Sequence, residues 1–111
     1  MNFVVDRTAR PDGVCVAVAG EVDTYTAPQM LAALLAALET DPRLTVDLSA
    51  VTFMDSQGLS ALLRTRQETE RRGGSLRLEG VPPRVLKLLE LTGMDAVFTI
   101  DPAPAHGAAA D

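Results

Sequence analysis

The sequence has few of the residues that build disulfide, metal or aromatic frameworks. Its 111 residues include one cysteine and no tryptophan, and aromatic residues make up 4% of the chain. A single cysteine, Cys15, excludes an internal disulfide and a zinc site built from several cysteines. With 47% hydrophobic and 23% charged residues, the composition is typical of one globular domain with an aliphatic core.

Positive charge is also scarce, since 10 Lys and Arg residues face 15 Asp and Glu residues and the net charge is −5. Nucleic acids and anionic membranes recruit clustered positive charge, so direct partners of either kind are not expected. The apolar runs are shorter than the roughly 18 residues of a membrane-spanning helix. The first residues do not resemble a secretory signal. We therefore expect a cytoplasmic protein.

Hydrophobic periodicity predicts strands and helices in alternation. Extended runs predict strands at residues 3–5, 14–19, 44–48, 75–79 and 97–100, with residues 51–53 continuing in extended form after the third. Apolar residues at helical spacing predict helices after Thr26, from about residue 56 to 72, and after Pro83. The resulting order, ββαβαβαβ, predicts a single α/β domain with a mixed, mostly parallel β-sheet.

Several residues mark where these elements end. Gly20 is expected to end the second strand, and Gly73 and Gly93 to end the second and third helices. Thr26 and Gln29 have the spacing of a capping box at the first helix. Residues 1–100 are thus expected to form the domain. Residues 101–111, rich in Ala and Pro, are expected to form a disordered tail.

Ser56 is the most informative polar residue, because it lies between a predicted strand end and a predicted helix start. Ligands and reactive groups gather at such positions in α/β folds. Its hydroxyl can be a plain helix N-cap, or it can accept a phosphate that the helix N-terminus solvates. A third hypothesis, a catalytic serine, needs a base, and the sole histidine is His106 in the predicted tail.

Other candidate groups give weaker signals. Asp23 follows a strand, where it is either a solvated loop acid or an acid that positions a phosphorylating partner. Together with Asp47 and Asp55 it gives weak support for a Mg²⁺ site. Cys15, flanked by valines, is expected in the core. The nucleotide-binding glycine motifs are missing, so no cofactor is predicted.

The chain resembles the STAS domains of bacterial anti-sigma-factor antagonists over about residues 3–100. The Gly-Glu-x-Asp and Asp-Ser-x-Gly-Leu motifs are fairly specific when joined at this spacing. The segments that support the resemblance are Gly20-Glu21-Val22-Asp23, Thr26-Ala27, Thr52-Phe53-Met54-Asp55-Ser56-Gln57-Gly58-Leu59, Gly73-Gly74, and Leu91-Thr92-Gly93-Met94 with Phe98.

The resemblance implies a non-enzymatic binding domain whose helices pack mainly on one side of the sheet. By analogy, an anti-sigma factor with serine kinase activity phosphorylates Ser56 and a serine phosphatase resets it. The unphosphorylated form then binds the anti-sigma factor and frees a sigma factor. The partner surface implied by the resemblance comprises Asp23, Thr24, Asp55, Ser56, Gln57 and Gly58.

Two features depart from the family pattern. Gln57 stands where many members have a small residue or a second serine, which bears on recognition by the kinase or phosphatase. The family's closing helix has no counterpart in the sequence after residue 100. A competing hypothesis is a constitutive STAS scaffold in a transporter or sensory assembly, where Ser56 is an interface or cap residue. A small serine-dependent enzyme is the third class.

Overall fold

The computed structural model describes residues 3–101, which form one five-stranded sheet and three α-helices. The strands lie in the order β1-β2-β3-β4-β5, with β1 antiparallel to β2 and all other neighbours parallel. In chain order the elements are β1 (Val4–Arg10), β2 (Gly13–Val22), α1 (Ala27–Leu38), β3 (Arg43–Met54), α2 (Ser56–Arg71), β4 (Ser75–Glu79), α3 (Pro83–Thr92), a short 3₁₀ turn (Met94–Ala96) and β5 (Thr99–Ile100).

One face of the sheet is apolar and packs against the helices. Along β3, Leu44, Val46 and Leu48 are buried, whereas Thr45 and Asp47 between them are partly exposed. The helices supply the other half of the core through buried residues of α1, α2 and α3 such as Leu34, Leu62 and Leu89. The predicted fold class, a mixed and mostly parallel sheet with helices on one side, is confirmed.

The predicted order of elements is confirmed, but several strand boundaries were wrong, and β3 continues beyond Leu48 to Met54. Strand β2 does not end at Gly20, because it continues to Val22 through a register shift next to that glycine, whose φ is +99°. The strand predicted at residues 3–5 extends to Arg10, since every residue from Val4 onward pairs with β2. Both extensions depend on a neighbouring strand, which local sequence does not reveal.

The last strand is shorter than predicted. The amides of Val97 and Phe98 donate to the carbonyl of Met94 and close a turn, which leaves Thr99–Ile100 as β5. The helix ends match the prediction, since Gly73 and Gly93 adopt positive φ values of +70° and +76°. The expected disordered tail at 101–111 lies, apart from Asp101, outside the described residues.

Candidate functional site

The candidate site is at the sheet edge where β2 and β3 end. These parallel strands finish side by side, with Val22 paired to Met54, and the amide of Asp55 donates to the carbonyl of Val22 at 3.2 Å. The loop that follows β2 therefore lies next to the start of α2. Sequence analysis placed its candidate residues on these two segments, and the structure brings the segments together.

Asp23 organises the loop between β2 and α1. Its carboxylate Oδ1 accepts hydrogen bonds from the amides of Tyr25 at 2.9 Å and Thr26 at 3.1 Å. These bonds favour the ionised form, so the backbone amide of Thr26, followed by that of Tyr25, holds the pKa of Asp23 below its ordinary value. Asp23 is thus engaged in shaping the loop while it remains partly exposed.

The capping box predicted from Thr26 and Gln29 does not form. Thr26 precedes α1 in a helical backbone conformation, and its side chain makes no capping bond. Instead its hydroxyl donates to the carbonyl of Glu21 at 2.7 Å and accepts from the amide of Asp23 at 2.9 Å. The side-chain Nε2 of Gln29 donates to the carbonyl of Tyr25 at 3.2 Å. The side chains of Thr26 and Gln29 therefore bond to backbone groups of the loop and do not cap the helix. The loop folds back close enough to offer these bonds in place of the capping bonds.

Asp55, and not Ser56, caps helix α2. The backbone of Asp55 is extended, and its Oδ1 accepts from the amide of Gln57 at 2.8 Å. Ser56 is the first residue of the helix and is exposed. The interpretation of Ser56 as a plain N-cap was therefore wrong. With the capping role filled by Asp55, the hydroxyl of Ser56 is presented to solvent at the positive end of a helix of 16 residues.

Gly58 lets α2 begin directly against the strand ends. A Cβ atom at this position would lie 2.6 Å from Cγ of Met54 and 2.7 Å from Cγ1 of Val22. Gly58 is buried as a result. What the structure shows for this residue is close packing, and its contact with a partner stays a prediction.

The remaining predicted site residues differ in exposure. Thr24 and Gln57 are exposed, like Ser56, whereas Asp55 is partly buried. Asp47 lies away from this cluster along β3 and accepts from the amide of Ser49 at 2.9 Å. Within residues 3–101 no group of three His, Cys, Asp or Glu side chains is arranged to hold a metal ion.

Two further candidate residues are Cys15, which the structure describes, and His106, which lies outside the described residues. Cys15 is in β2 and 4% exposed, and burial raises the pKa of its thiol, in keeping with the predicted core position. His106, the base that a catalytic serine needs, lies outside the described residues. Of the helices that the structure describes, none is both long enough and apolar enough to cross a membrane.

Sequence reasoning missed two aromatic residues at this edge. Tyr25, in the loop after β2, is 82% exposed, and Phe53, next to the end of β3, is 43% exposed. Aromatic residues are rare in this chain, and Phe53 belongs to a motif segment already singled out while Tyr25 lies between two of them. Their position in or next to the motifs was the only sequence signal for a role at this site. A pattern of apolar residues does not by itself distinguish a core position from an exposed one.

The fold and this site define a STAS domain. The sequence model of that family, described as "Mlab, STAS domain", matches residues 5–100, so the chain belongs to the STAS domain family. It is similar to the anti-sigma-B factor antagonist of Bacillus subtilis (strain 168), with 34% identity over 100 residues that cover 90% of this chain and 92% of the relative.

Solved structures agree with this assignment. An anti-sigma factor antagonist from Mycobacterium paratuberculosis superimposes with a TM-score of 0.82 and 29% identity, covering 98% of this chain and 93% of that one. The anti-sigma factor antagonist SpoIIAA in its unphosphorylated form gives a TM-score of 0.69 with 20% identity, covering 96% and 94% of the two chains. At that identity the second likeness shows the fold alone. The relatives of this chain are thus anti-sigma factor antagonists.

Proposed function

We propose that this protein is an anti-sigma-factor antagonist switched by phosphorylation of Ser56. The unphosphorylated form binds an anti-sigma factor and releases a sigma factor. The anti-sigma factor is also the serine kinase that modifies Ser56, and a serine phosphatase reverses the modification. In this proposal the protein acts in the cytoplasm as a binding partner and not as an enzyme. The observation that supports it best is the capping of α2 by Asp55, which leaves Ser56 exposed.

The start of α2 suits a phosphate acceptor. The first amides of a helix have no partner within the helix, and the helix dipole favours negative charge there. A phosphate on Ser56 would therefore gain up to about 2 kcal/mol from the helix end. Since Ser56 is exposed, the phosphate would displace no core side chain. These features support a modification that leaves the fold intact.

Electrostatics explain how the phosphate would block binding. It adds about −1.5 to −2 units of charge to a residue that directly follows Asp55, on a segment that lies next to the loop containing Asp23. A kinase that has just transferred its phosphoryl group still holds an anionic nucleotide facing that serine. At about 5 Å, each pair of like charges costs roughly 1–3 kcal/mol for effective dielectric constants between about 80 and 20. Affinity would then fall on the order of 10- to 100-fold.

Two variants of Ser56 test the switch with a purified anti-sigma factor kinase from the source organism. Ser56→Ala should bind like the wild type and take up no phosphate from ATP, because it lacks the acceptor oxygen. Ser56→Asp should bind at least about 10-fold more weakly, since it places a negative charge at the same point. Binding is measured by isothermal titration calorimetry and phosphate uptake by mass spectrometry.

Ser75→Asp is the matched control. Ser75 is exposed at the first residue of β4, at the opposite edge of the sheet, and its change adds the same charge away from the site. Equal affinities of Ser56→Asp and the wild type would contradict the switch. If Ser56 stays unmodified in every growth condition while the protein copurifies with a transporter or sensory complex, the constitutive scaffold is the correct function.

A further inference from the structure

The exposed aromatic residues of this chain concentrate at the proposed switch site. The protein has three Phe and one Tyr, and the large hydrophobic residues most exposed at the carboxyl ends of the strands are Tyr25 and Phe53. Tyr25 lies two residues after Asp23, and Phe53 lies three residues before Ser56. Aromatic side chains dominate the energetics of protein interfaces, especially when they project from an ordered backbone.

The backbone that presents Tyr25 is fixed from both sides. Its amide donates to Oδ1 of Asp23 at 2.9 Å, and its carbonyl accepts from the side chain of Gln29 at 3.2 Å. The hydroxyl of Thr26 ties the same loop to the carbonyl of Glu21 at 2.7 Å. A tyrosine held in this way offers a large contact area and has only two side-chain torsions to immobilise on binding.

Phe53 is presented by an irregular end of β3. The alternation of buried and exposed residues stops after Leu48, and Thr52 and Phe53 are both exposed. Phe53 pairs with Glu21 immediately after the register shift in β2. Both aromatic residues therefore lie on segments of the site, Tyr25 in the loop after β2 and Phe53 near the end of β3.

The two chain segments that form the site carry acidic side chains and no basic ones. Lys and Arg are missing from residues 11–42 and 44–63, which include both segments of the site. The same segments contain Glu21, Asp23 and Asp55. Two copies of this surface would bring like charges together, which disfavours self-association through the rings and favours a different partner.

We infer that Tyr25 and Phe53 are the aromatic anchors through which this protein binds its anti-sigma factor, in an apolar pocket of that partner. The inference rests on the proposed function and adds two residues outside the predicted site. The rings supply affinity by burying apolar area, and Ser56 controls whether that affinity is available. Continuity with the phosphate-accepting segment favours this partner over a second copy of the chain.

Single substitutions at the two anchors test the inference. Tyr25→Ala removes one exposed ring, and Phe53→Thr removes the other while it leaves a residue of high β-propensity in the strand. Each should weaken binding to the anti-sigma factor by about 10-fold or more, as expected for an interface anchor. Affinities are measured by calorimetry, and thermal unfolding confirms that each variant is folded.

Leu91→Ala is the matched control. Leu91 is 75% exposed and lies in the last turn of α3. Because α3 follows the carboxyl end of β4 and returns across the sheet, its last turn lies toward the opposite edge. Its loss should change the affinity less than about twofold, which is within the usual effect of a residue outside an interface.

The outcomes separate this inference from the proposed function. If the wild type binds none of the organism's anti-sigma factor kinases, the function and the inference both fail. If the wild type binds and Ser56→Asp does not, but Tyr25→Ala and Phe53→Thr bind as well as Leu91→Ala, only the inference fails. It also fails if the two substitutions instead abolish self-association of the wild type, seen by analytical ultracentrifugation, because a second copy then occupies the rings.

Discussion

At the scale of single residues, several side chains of the site have roles that differ from those expected from their sequence positions. Asp23 and Thr26 resemble a loop acid and a helix cap, yet both hold the loop after β2 in one conformation. Asp55 takes the capping role, which frees Ser56. Gly58 gives no chemistry but allows α2 to approach the strand ends. The exposure of Ser56, on which its proposed function depends, thus follows from the capping role of Asp55.

Gly58→Ala should destabilise the protein by about 1–3 kcal/mol, because the added methyl group overlaps Met54 and Val22 in a close-packed region. The loss should appear as a lower midpoint in urea denaturation with an unchanged slope. Ser60→Ala, at an exposed position on the same helix, is the control for helix propensity. Unchanged stability of Gly58→Ala would mean that Met54 and Val22 can move aside without loss of unfolding free energy.

At the scale of elements, α2 links the domain's stability to its proposed switch. Its cap, Asp55, directly precedes the proposed phosphate acceptor, Ser56, and its buried residues, among them Leu62 and Thr65, join the core. Its end is held to α1 by Arg72, which bonds Glu68 at 2.8 Å and Glu39 at 2.9 Å. Such exposed ion pairs contribute little energy, so packing fixes the direction of α2 and hence the position of Ser56.

Asp55→Ala should cost about 0.5–2 kcal/mol of stability, since it removes the hydrogen bond to the amide of Gln57. Asp55→Asn keeps an oxygen acceptor at the cap and should recover most of that loss. Chemical denaturation of both variants measures the difference. If Asp55→Asn is as unstable as Asp55→Ala, the carboxylate charge and not the capping bond stabilises α2.

At the scale of the whole molecule, the architecture separates the core from the site. The helices cover one face of the sheet, and Ser56 is exposed at the carboxyl ends of the strands, whereas Met54 and Leu59 on either side of it belong to the core. A phosphate added to Ser56 would therefore contact solvent and the N-terminus of α2, and not the core. The proposed switch therefore acts on the surface and does not require a second conformation of the domain.

Phosphorylation of Ser56 should leave the fold unchanged. In amide NMR spectra, shifts should be confined to the loop after β2 and the first turn of α2, and the unfolding free energy should change by no more than about 2 kcal/mol. A mock reaction without ATP is the control. Shifts that spread to β4 and α3 would indicate a conformational switch and contradict a purely local effect.

Much of the fold was predictable because its signals are local. The stripe of apolar residues in α1 and the alternation of Leu76 and Leu78 in β4 follow from helix and strand periodicity. The glycines that end α2 and α3 are needed for a left-handed backbone conformation. The order of these elements then limits the domain to an α/β sheet.

The sequence by itself determined the element types, their order and the choice of the segment around Ser56 as the candidate site. Tertiary structure alone decided the length of β1 and β2, the capping of α2 by Asp55, and the exposure of Tyr25 and Phe53. Those features depend on which chain segments become neighbours. Hydrophobic periodicity records whether a residue is apolar, whereas burial and hydrogen bonding are set by partners that are distant in the sequence.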